Sequence, residues 1–216
     1  AQPNYVRLYD LQGKFGNGDP RSNDSCDNIL IQSNYMHGGS IAVNMVYPDH
    51  VIVEHSYLEN FGALGGAEYH YAVFIFTFGY TDVSVRYNHC RDARQLGWTT
   101  WIEPQAYPGY DLYIYGNVFH VSAAGEAMPS YCNEGIFTCA GSVSVNGLYI
   151  YNNTIYNWVG GNAGIFLDTG LQDHSANVIV KNNLWYDVAA AAVISDPFGV
   201  ATVSNNDVNG TVSFVN

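Results

Sequence analysis

The segment Leu148-Tyr-Ile-Tyr-Asn-Asn-Thr-Ile-Tyr-Asn157 contains the pattern that decides the fold. Leu148 and Ile150 alternate with tyrosines, and this period of two predicts a short strand with one buried face. A pair of asparagines interrupts the alternation, and Ile155 resumes the apolar face after it. The segment therefore predicts two short strands joined by a sharp turn.

The same pattern recurs along the whole chain. The copies are Ile29-Leu-Ile-Gln-Ser-Asn34, Val51-Ile-Val-Glu-His-Ser56, Val83-Ser-Val-Arg-Tyr-Asn88, Leu112-Tyr-Ile-Tyr-Gly-Asn117, Leu148-Tyr-Ile-Tyr-Asn-Asn153, Val178-Ile-Val-Lys-Asn-Asn183 and the more divergent Ala201-Thr-Val-Ser-Asn-Asn206. Their first apolar residues are 22, 32, 29, 36, 30 and 23 residues apart, so the unit is constant while the connections vary. Such self-similarity is typical of a solenoid, in which each repeat buries its apolar face against its neighbours.

Alignment of the copies gives three apolar columns that we expect to face the interior. They are Ile29, Val51, Val83, Leu112, Leu148 and Val178; then Ile31, Val53, Val85, Ile114, Ile150 and Val180; and, past the turn, Met36, Leu58, Cys90, Phe119, Ile155 and Trp185. A polar column lies between the second and third: Asn34, Ser56, Asn88, Asn117, Asn153, Asn183 and Asn206. Asparagine tolerates a left-handed turn, and stacked asparagine side chains can hydrogen-bond the repeats on either side.

The repeated unit with its asparagine column resembles the right-handed parallel β-helix family, the pectate-lyase-like repeat with an asparagine ladder. The resemblance covers roughly residues 26–210 and implies an all-β solenoid with one coil for each of the seven copies. We expect a single domain over 1–216, with a partial first coil and a loop in 1–25. Residues 211–216 are expected to form a last, uncapped strand. Because much of the family handles polysaccharides, the resemblance implies an extracellular carbohydrate-active protein.

Composition and charge exclude several classes of partner. The formal net charge is -12 with only 7 Lys plus Arg among 216 residues, which argues against nucleic acid and anionic membranes. No run of 18 apolar residues is present, so no membrane insertion is expected. The same negative charge would repel polyuronates unless Ca²⁺ bridged them, so a neutral glycan is easier to accommodate.

A third strand is expected after the variable connection of most copies. The candidates are Ser40-Ile-Ala-Val-Asn44, Val73-Phe-Ile-Phe-Thr77, Thr99-Thr-Trp-Ile-Glu103, Gly164-Ile-Phe-Leu-Asp168 and Ala192-Val-Ile-Ser-Asp196. Their alignment places Glu103, Asp168 and Asp196 in one outward column with Asn44 and Thr77. Carboxylates roughly 5 to 9.5 Å apart serve glycoside hydrolysis, and the same three could bind Ca²⁺. Asp168 and Asp196 could instead be turn residues that end their strands.

A second candidate cluster lies in the second and third copies. It comprises Glu54, His55, Arg86, Tyr87, His89, Arg91, Asp92 and Arg94. In polysaccharide lyases of the resembled family, an Arg or Lys abstracts the proton α to a uronate carboxylate while Ca²⁺ neutralises that group. The resemblance implies this role for Arg91 or Arg94, with His89 or Tyr87 as alternatives. Alternatively, Glu54 and Arg86 form an ion pair between coils and the other residues are a solvated face.

Aromatic residues in or beside the long connections are candidates for substrate binding. They are Trp98, Trp101, Tyr107, Tyr110 and Trp158, to which His89 is added. Sugar rings stack on such aromatic faces through their C–H groups. The rings could equally cover the backbone of their own loops or lie in a subunit interface.

The four cysteines divide into different environments. Cys132 and Cys139 lie in the longest connection, where a disulfide would suit an extracellular protein. Cys90 occupies an apolar column, so a buried free thiol is expected there. Cys26 could cap the first coil or pair elsewhere.

Two functions from different classes remain open at the level of sequence. The first is an extracellular lyase, glycosidase or glycan-binding module that acts in a groove lined by Glu103, Asp168 and Asp196. The second is a structural or adhesive protein, a filament subunit that assembles by end-to-end stacking. Open ends, low charge, many tyrosines and the lack of a recognisable catalytic motif favour the second.

Overall fold

The computed structural model describes most of the repeated part of the chain. The described residues are 26–39, 42–61, 74–77, 79–91, 100–103, 108–120, 137–139, 144–157, 164–167, 176–188, 194–196 and 199–208. Within these ranges the protein is all-β and contains no helix. Accordingly, no helix there is long and apolar enough to cross a membrane.

Three parallel sheets are built from strands that recur in the same order in the first six repeats, and the described part of the seventh repeat adds a strand to the first two sheets. The first sheet contains β1 (Cys26–Gln32), β4 (Pro48–Glu54), β7 (Tyr80–Arg86), β10 (Gly109–Tyr115), β13 (Val145–Tyr151), β16 (Ala176–Lys181) and β19 (Ala201–Ser204). The second contains β2 (Tyr35–Gly39), β5 (Tyr57–Phe61), β8 (His89–Arg91), β11 (Val118–His120), β14 (Thr154–Tyr156), β17 (Leu184–Tyr186) and β20 (Asp207–Val208). The third contains β3 (Val43–Val46), β6 (Phe74–Thr77), β9 (Thr100–Glu103), β12 (Phe137–Cys139), β15 (Ile165–Leu167) and β18 (Ile194–Ser195). The predicted all-β, parallel-stranded architecture is therefore confirmed.

The strand registers confirm all three predicted apolar columns. In the first sheet, Leu112 pairs with Val83 below it and Leu148 above it, as the first column requires. In the second sheet, Phe119 lies between Cys90 and Ile155. Because side chains alternate between the two faces of a strand, one face of every strand supplies the core. These columns and the inward residues of the third sheet form one continuous buried cluster.

The third sheet is present, but its register differs from the predicted one at two positions. Thr77 and Glu103 pair as expected. Asn44, however, pairs with Ile75, because the alternation of Val43 with Met45 is the one buried. Ile41, Val43 and Met45 form one apolar alternation in the sequence. The prediction aligned Ile41 and Val43 with the inward residues of the next strand, whereas the structure aligns Val43 and Met45 with them.

Asp196 is also displaced from the predicted outward column. Phe166 pairs with Ser195, so Asp196 lies in line with Leu167, whose side chain is buried. The Asp196 carboxylate accepts hydrogen bonds from the backbone N–H of Val200 at 3.2 Å and of Ala201 at 2.8 Å. This is the turn role that the sequence left open. Asp168 lies outside the described residues.

The left-handed turn residue lies one position before the asparagine column, not within it. The residues with φ between 51° and 65° at this corner are Ser33, His55, Tyr87, Gly116, Asn152, Asn182 and Asn205. They connect the strands of the first sheet to those of the second. The predicted turn is therefore present, but the polar column does not supply its left-handed residue. Five of its seven side chains, those of Ser56, Asn88, Asn117, Asn153 and Asn183, are instead buried beside the core.

Buried asparagines hydrogen-bond from one repeat to the next. The Asn117 Nδ2 group donates to Asn153 Oδ1 at 3.1 Å and to the Val85 carbonyl at 2.9 Å. Its backbone N–H also donates to Asn153 Oδ1, at 3.1 Å, while Asn117 Oδ1 accepts from Asn88. Because one amide has two N–H donors, both side-chain bonds are satisfied together. The same donor pattern is found at Asn88, Asn153 and Asn183.

Cys90 and Cys139 are free thiols. Cys139 is buried in β12, which contradicts the predicted disulfide with Cys132. The physical reason is that Phe137 and Cys139 occupy the inward positions of this strand, so the thiol belongs to the core. Burial raises the pKa of Cys139 to about 12. Cys90 is a buried free thiol, as expected.

Candidate functional site

The outer face of the first sheet contains a column of polar and aromatic side chains that bond to one another. Gln32 Nε2 donates to Glu54 Oε1 at 2.7 Å, and Arg86 Nε donates to Glu54 Oε2 at 2.6 Å. Arg86 Nη1 then donates to the Tyr115 hydroxyl at 3.1 Å. Glu54 and Arg86 therefore form the ion pair between repeats that the sequence left open. The arginine bonds hold the pKa of Glu54 below its ordinary value, against the effect of burial. Because these side chains satisfy one another's hydrogen bonds, the column has a structural role.

A different group of titratable side chains lies on the outer face of the second sheet. We define the His–Arg cluster as Tyr57, Glu59, His89, Arg91 and His120. The strand registers create it, because Tyr57 pairs with His89, and Glu59 pairs with Arg91, which pairs with His120. Each residue flanks an inward position of β5, β8 or β11, so its side chain points away from the core.

The two histidines of the His–Arg cluster form a hydrogen-bonded pair. His89 Nε2 lies 2.8 Å from His120 Nδ1, so one ring donates and the other accepts. Burial and the adjacent Arg91 guanidinium lower the pKa of His89, and the Glu59 carboxylate opposes this shift. At neutral pH the pair therefore holds a neutral imidazole, which can accept a proton from a ligand.

Arg91 is a cation held in place beside the histidine pair. Its Nη1 lies 3.8 Å from Glu59 Oε2 and donates to the Tyr57 hydroxyl at 3.4 Å. The Arg91 side chain is 37% exposed and that of Glu59 is 16% exposed, so the positive group is the one nearer to solvent. A guanidinium stays charged at all ordinary pH values, which makes Arg91 an electrostatic group and a poor base.

Aromatic rings surround the His–Arg cluster. Tyr57 meets the His89 ring edge-on at 4.8 Å, and Tyr156 stacks on the His120 ring at 4.5 Å. On the other side, Tyr35 stacks on Tyr57 at 5.7 Å and its hydroxyl bonds to Glu59. This bond raises the pKa of Tyr35. The rings stack mainly on one another, which fixes the orientation of the polar groups.

The structure brings two predicted site residues together and separates others. Arg91 and His89 share the His–Arg cluster, whereas Glu54 and Arg86 lie on the first sheet. Tyr110 lies in β10 and is half-buried. Trp101 and Glu103 lie in β9. The remaining candidates fall outside the described residues: Tyr107, Trp98, Trp158, Asp168, Asp92 and Arg94.

Sequence reasoning missed Tyr57, Glu59 and His120 as members of the cluster. A signal was available, because these residues flank Leu58 and Phe119 in the third apolar column. Residues that flank an inward position point outward, so aligning the flanks would have placed Glu59, Arg91 and His120 side by side.

No group of three or more His, Cys, Asp or Glu side chains is arranged to hold a metal ion in the described ranges. Of the predicted Ca²⁺ ligands, Asp168 and the side chain of Glu103 lie outside these ranges. Comparisons with protein-family models, curated proteins and solved structures give no match for this chain.

Proposed function

We propose that the chain is an extracellular parallel β-helix of the pectate-lyase-like type that binds and cleaves a polysaccharide. Strand order supports this fold, because each of the first six repeats sends one strand to each sheet before the next repeat begins. The shared core is consistent with three sheets that enclose it. Right-handed winding is expected, since nearly all parallel crossovers have that hand.

One observation supports a lyase reaction at the His–Arg cluster: the hydrogen-bonded His89–His120 pair lies beside the Arg91 cation on a single face. Proton abstraction next to a carboxylate requires a base near neutral pKa and a positive charge that stabilises the developing anion. In this proposal His89 takes the proton α to a uronate carboxylate, and Arg91 binds that carboxylate.

The elimination then breaks the glycosidic C–O bond at the neighbouring carbon. The electron pair of the abstracted C–H bond forms a carbon–carbon double bond, and the glycosidic oxygen leaves with the bonding pair. This oxygen gains a proton from water or from the protonated histidine pair. A hydrolase would need two suitably spaced carboxylates. Glu59 is the only carboxylate in the His–Arg cluster, and its bonds to Arg91 and Tyr35 occupy it.

The net charge of -12 does not exclude an acidic sugar at this location. At physiological ionic strength, charges more than about 8 Å away are largely screened. The exposed Arg91 therefore determines the local potential more than distant carboxylates do. Repulsion between the negative protein surface and the acidic substrate would still weaken binding at low salt, because charges far from Arg91 are less screened there.

A panel of uronate-containing and neutral polysaccharides tests the proposal. We expect the purified protein to produce unsaturated, ultraviolet-absorbing ends from a uronate polymer. Both His89→Gln and Arg91→Gln should reduce this activity by at least about 100-fold, as expected for loss of acid–base catalysis. The matched control is Arg86→Gln, which removes an arginine from the first sheet and should retain most of the activity.

Other outcomes separate the alternatives. New reducing ends without a double bond would show a hydrolase. Loss of that hydrolysis in Asp168→Asn would then assign the site to Glu103 and Asp168. Calcium-dependent activity in the same panel would support the metal role of Glu103 and Asp168. A protein that is folded yet inactive and non-binding on every polymer would overturn the proposal.

A second candidate function, end-to-end assembly into a filament, is favoured by one observation. Val203 occupies the same column as Val180, which is fully buried, yet Val203 is 46% exposed. An exposed core position at the last described repeat would suit a stacking contact with another copy. Negative-stain electron microscopy and light scattering over a range of concentrations test this function. Rods that lengthen with concentration, and shorten in Val203→Glu, would support it.

A further inference from the structure

Four tyrosines form a compact group on the outer face of the first sheet. We define the tyrosine quartet as Tyr113 and Tyr115 of β10 with Tyr149 and Tyr151 of β13. The register pairs Tyr113 with Tyr149 and Tyr115 with Tyr151 across the adjacent strands. The ring centroids lie 4.7 Å and 4.8 Å apart, with interplanar angles of 9° and 4°. All four side chains are partly exposed, so small reagents can reach them.

We infer that the tyrosine quartet is a site of oxidative cross-linking, at which Tyr113 and Tyr149 join as dityrosine. The co-reactant is a one-electron oxidant such as a haem peroxidase with hydrogen peroxide. The inference is independent of the proposed cleavage of polysaccharides, because the tyrosine quartet and the His–Arg cluster lie on different sheets.

The reaction balances as a two-electron oxidation. Each phenol gives up one electron and one proton, and two phenoxyl radicals result. A carbon–carbon bond forms between the ring carbons next to the two hydroxyl groups. The hydrogens on those carbons then move to the oxygens and restore both aromatic rings. One hydrogen peroxide molecule accepts the two electrons and two protons and becomes two molecules of water.

The geometry favours coupling within one molecule. Each ring already stacks on its partner, so the reacting carbons are held close and the pair needs only a tilt about its side-chain torsions. A radical on one ring therefore meets its partner at a high effective concentration. Radicals on isolated surface tyrosines would need to find a second molecule.

The two pairs of the tyrosine quartet have different electrostatic surroundings. Arg86 donates to the Tyr115 hydroxyl, and Lys181 Nζ lies 5.8 Å from the Tyr151 ring centroid. These cations oppose removal of an electron from the second pair. Tyr113 faces Ser84, and its pKa is raised by burial and then by Asp111 and Tyr149. The carboxylate near Tyr113 favours electron removal, so the first pair should react first.

The experiment treats the intact protein at low concentration with peroxidase and limiting hydrogen peroxide. We expect dityrosine fluorescence in a product that stays monomeric and has lost two hydrogens. Digestion after glutamate separates the two strands, because Glu126 and Glu134 lie between them in the sequence. The digest should therefore contain one cross-linked pair of peptides, which carries Tyr113 and Tyr149.

Phenylalanine variants preserve the rings and remove the reactive hydroxyl groups. Tyr149→Phe should lose most of the intramolecular fluorescence, about five-fold or more, whereas Tyr151→Phe should keep most of it. The matched control is Tyr186→Phe, an exposed tyrosine on the second sheet, which should react like the parent. Thermal melting confirms that each variant is folded. Unchanged monomer fluorescence in Tyr149→Phe, or dityrosine found only in dimers, would overturn the inference.

Discussion

At the scale of single residues, the asparagine column shows how one side chain can serve two repeats. Asn153 Oδ1 accepts from both the backbone and side-chain nitrogens of Asn117, while its own Nδ2 donates to Ile114 and Asn183. Asn153 is 1% exposed, so water cannot replace these bonds. Loss of the amide would leave donors and acceptors buried without partners, which costs more than the bonds themselves contribute.

Asn153→Val should therefore lower the free energy of unfolding by about 3 kcal/mol, measured by urea denaturation. The adjacent Asn152→Gly is a matched control, because Asn152 is exposed and left-handed, with φ of 54°. Glycine adopts this conformation freely, as Gly116 does at the same corner. We expect little change in the control. Equal stability of Asn153→Val and the parent protein would contradict the role of the buried amide.

At the scale of strands, the alternation of apolar residues predicts the first two sheets well and the third less well. The first-sheet strands keep a constant unit, so a single alignment gives their register. Around Val43 the apolar alternation can be aligned with the next strand in two ways, two residues apart. Only three-dimensional packing chooses between these two registers. The His–Arg cluster was harder to predict, because connections of different length separate residues that the registers bring together.

A contact between β7 and β10 provides a test at this scale. Gly109 lies opposite Tyr80, and an added Cβ atom would overlap the Tyr80 ring at Cζ. Gly109→Ala should therefore destabilise the protein by about 1–3 kcal/mol through overpacking. Tyr80→Ala creates a cavity by itself, but the double variant should recover part of the loss. A double-mutant cycle measures the coupling, and strictly additive effects would contradict the contact.

At the scale of the whole molecule, stability should depend on pH through the His–Arg cluster. Burial and Arg91 lower the pKa of His89 below its ordinary value of 6.5. As the pH falls below 6.5, the unfolded chain therefore binds a proton before the folded protein does. The free energy of unfolding should therefore decrease as the pH falls from about 6.5 towards the pKa of His89 in the folded protein, and should level off below that pKa.

His89→Gln should remove this component from a profile of thermal stability against pH. A second decrease should remain below about pH 4.5, because the Arg86 bond lowers the pKa of Glu54 and protonation of that carboxylate breaks the bond. A variant that keeps the same slope just below pH 6.5 as the parent would show that His89 does not cause it.

The buried asparagines also have a direction. From Asn88 to Asn183, every side-chain amide donates one N–H to the asparagine of the later repeat and the other to a backbone carbonyl of the earlier repeat, while its Oδ1 accepts from the earlier repeat. Aligned amide dipoles add and polarise one another, as peptide groups do in a helix. The column of side-chain amides is therefore polar along the molecule, with its donors towards Asn206 and its acceptors towards Asn34. A further repeat could continue this hydrogen-bond pattern only in the same direction, so a second copy stacked on the column would have to be oriented head to tail.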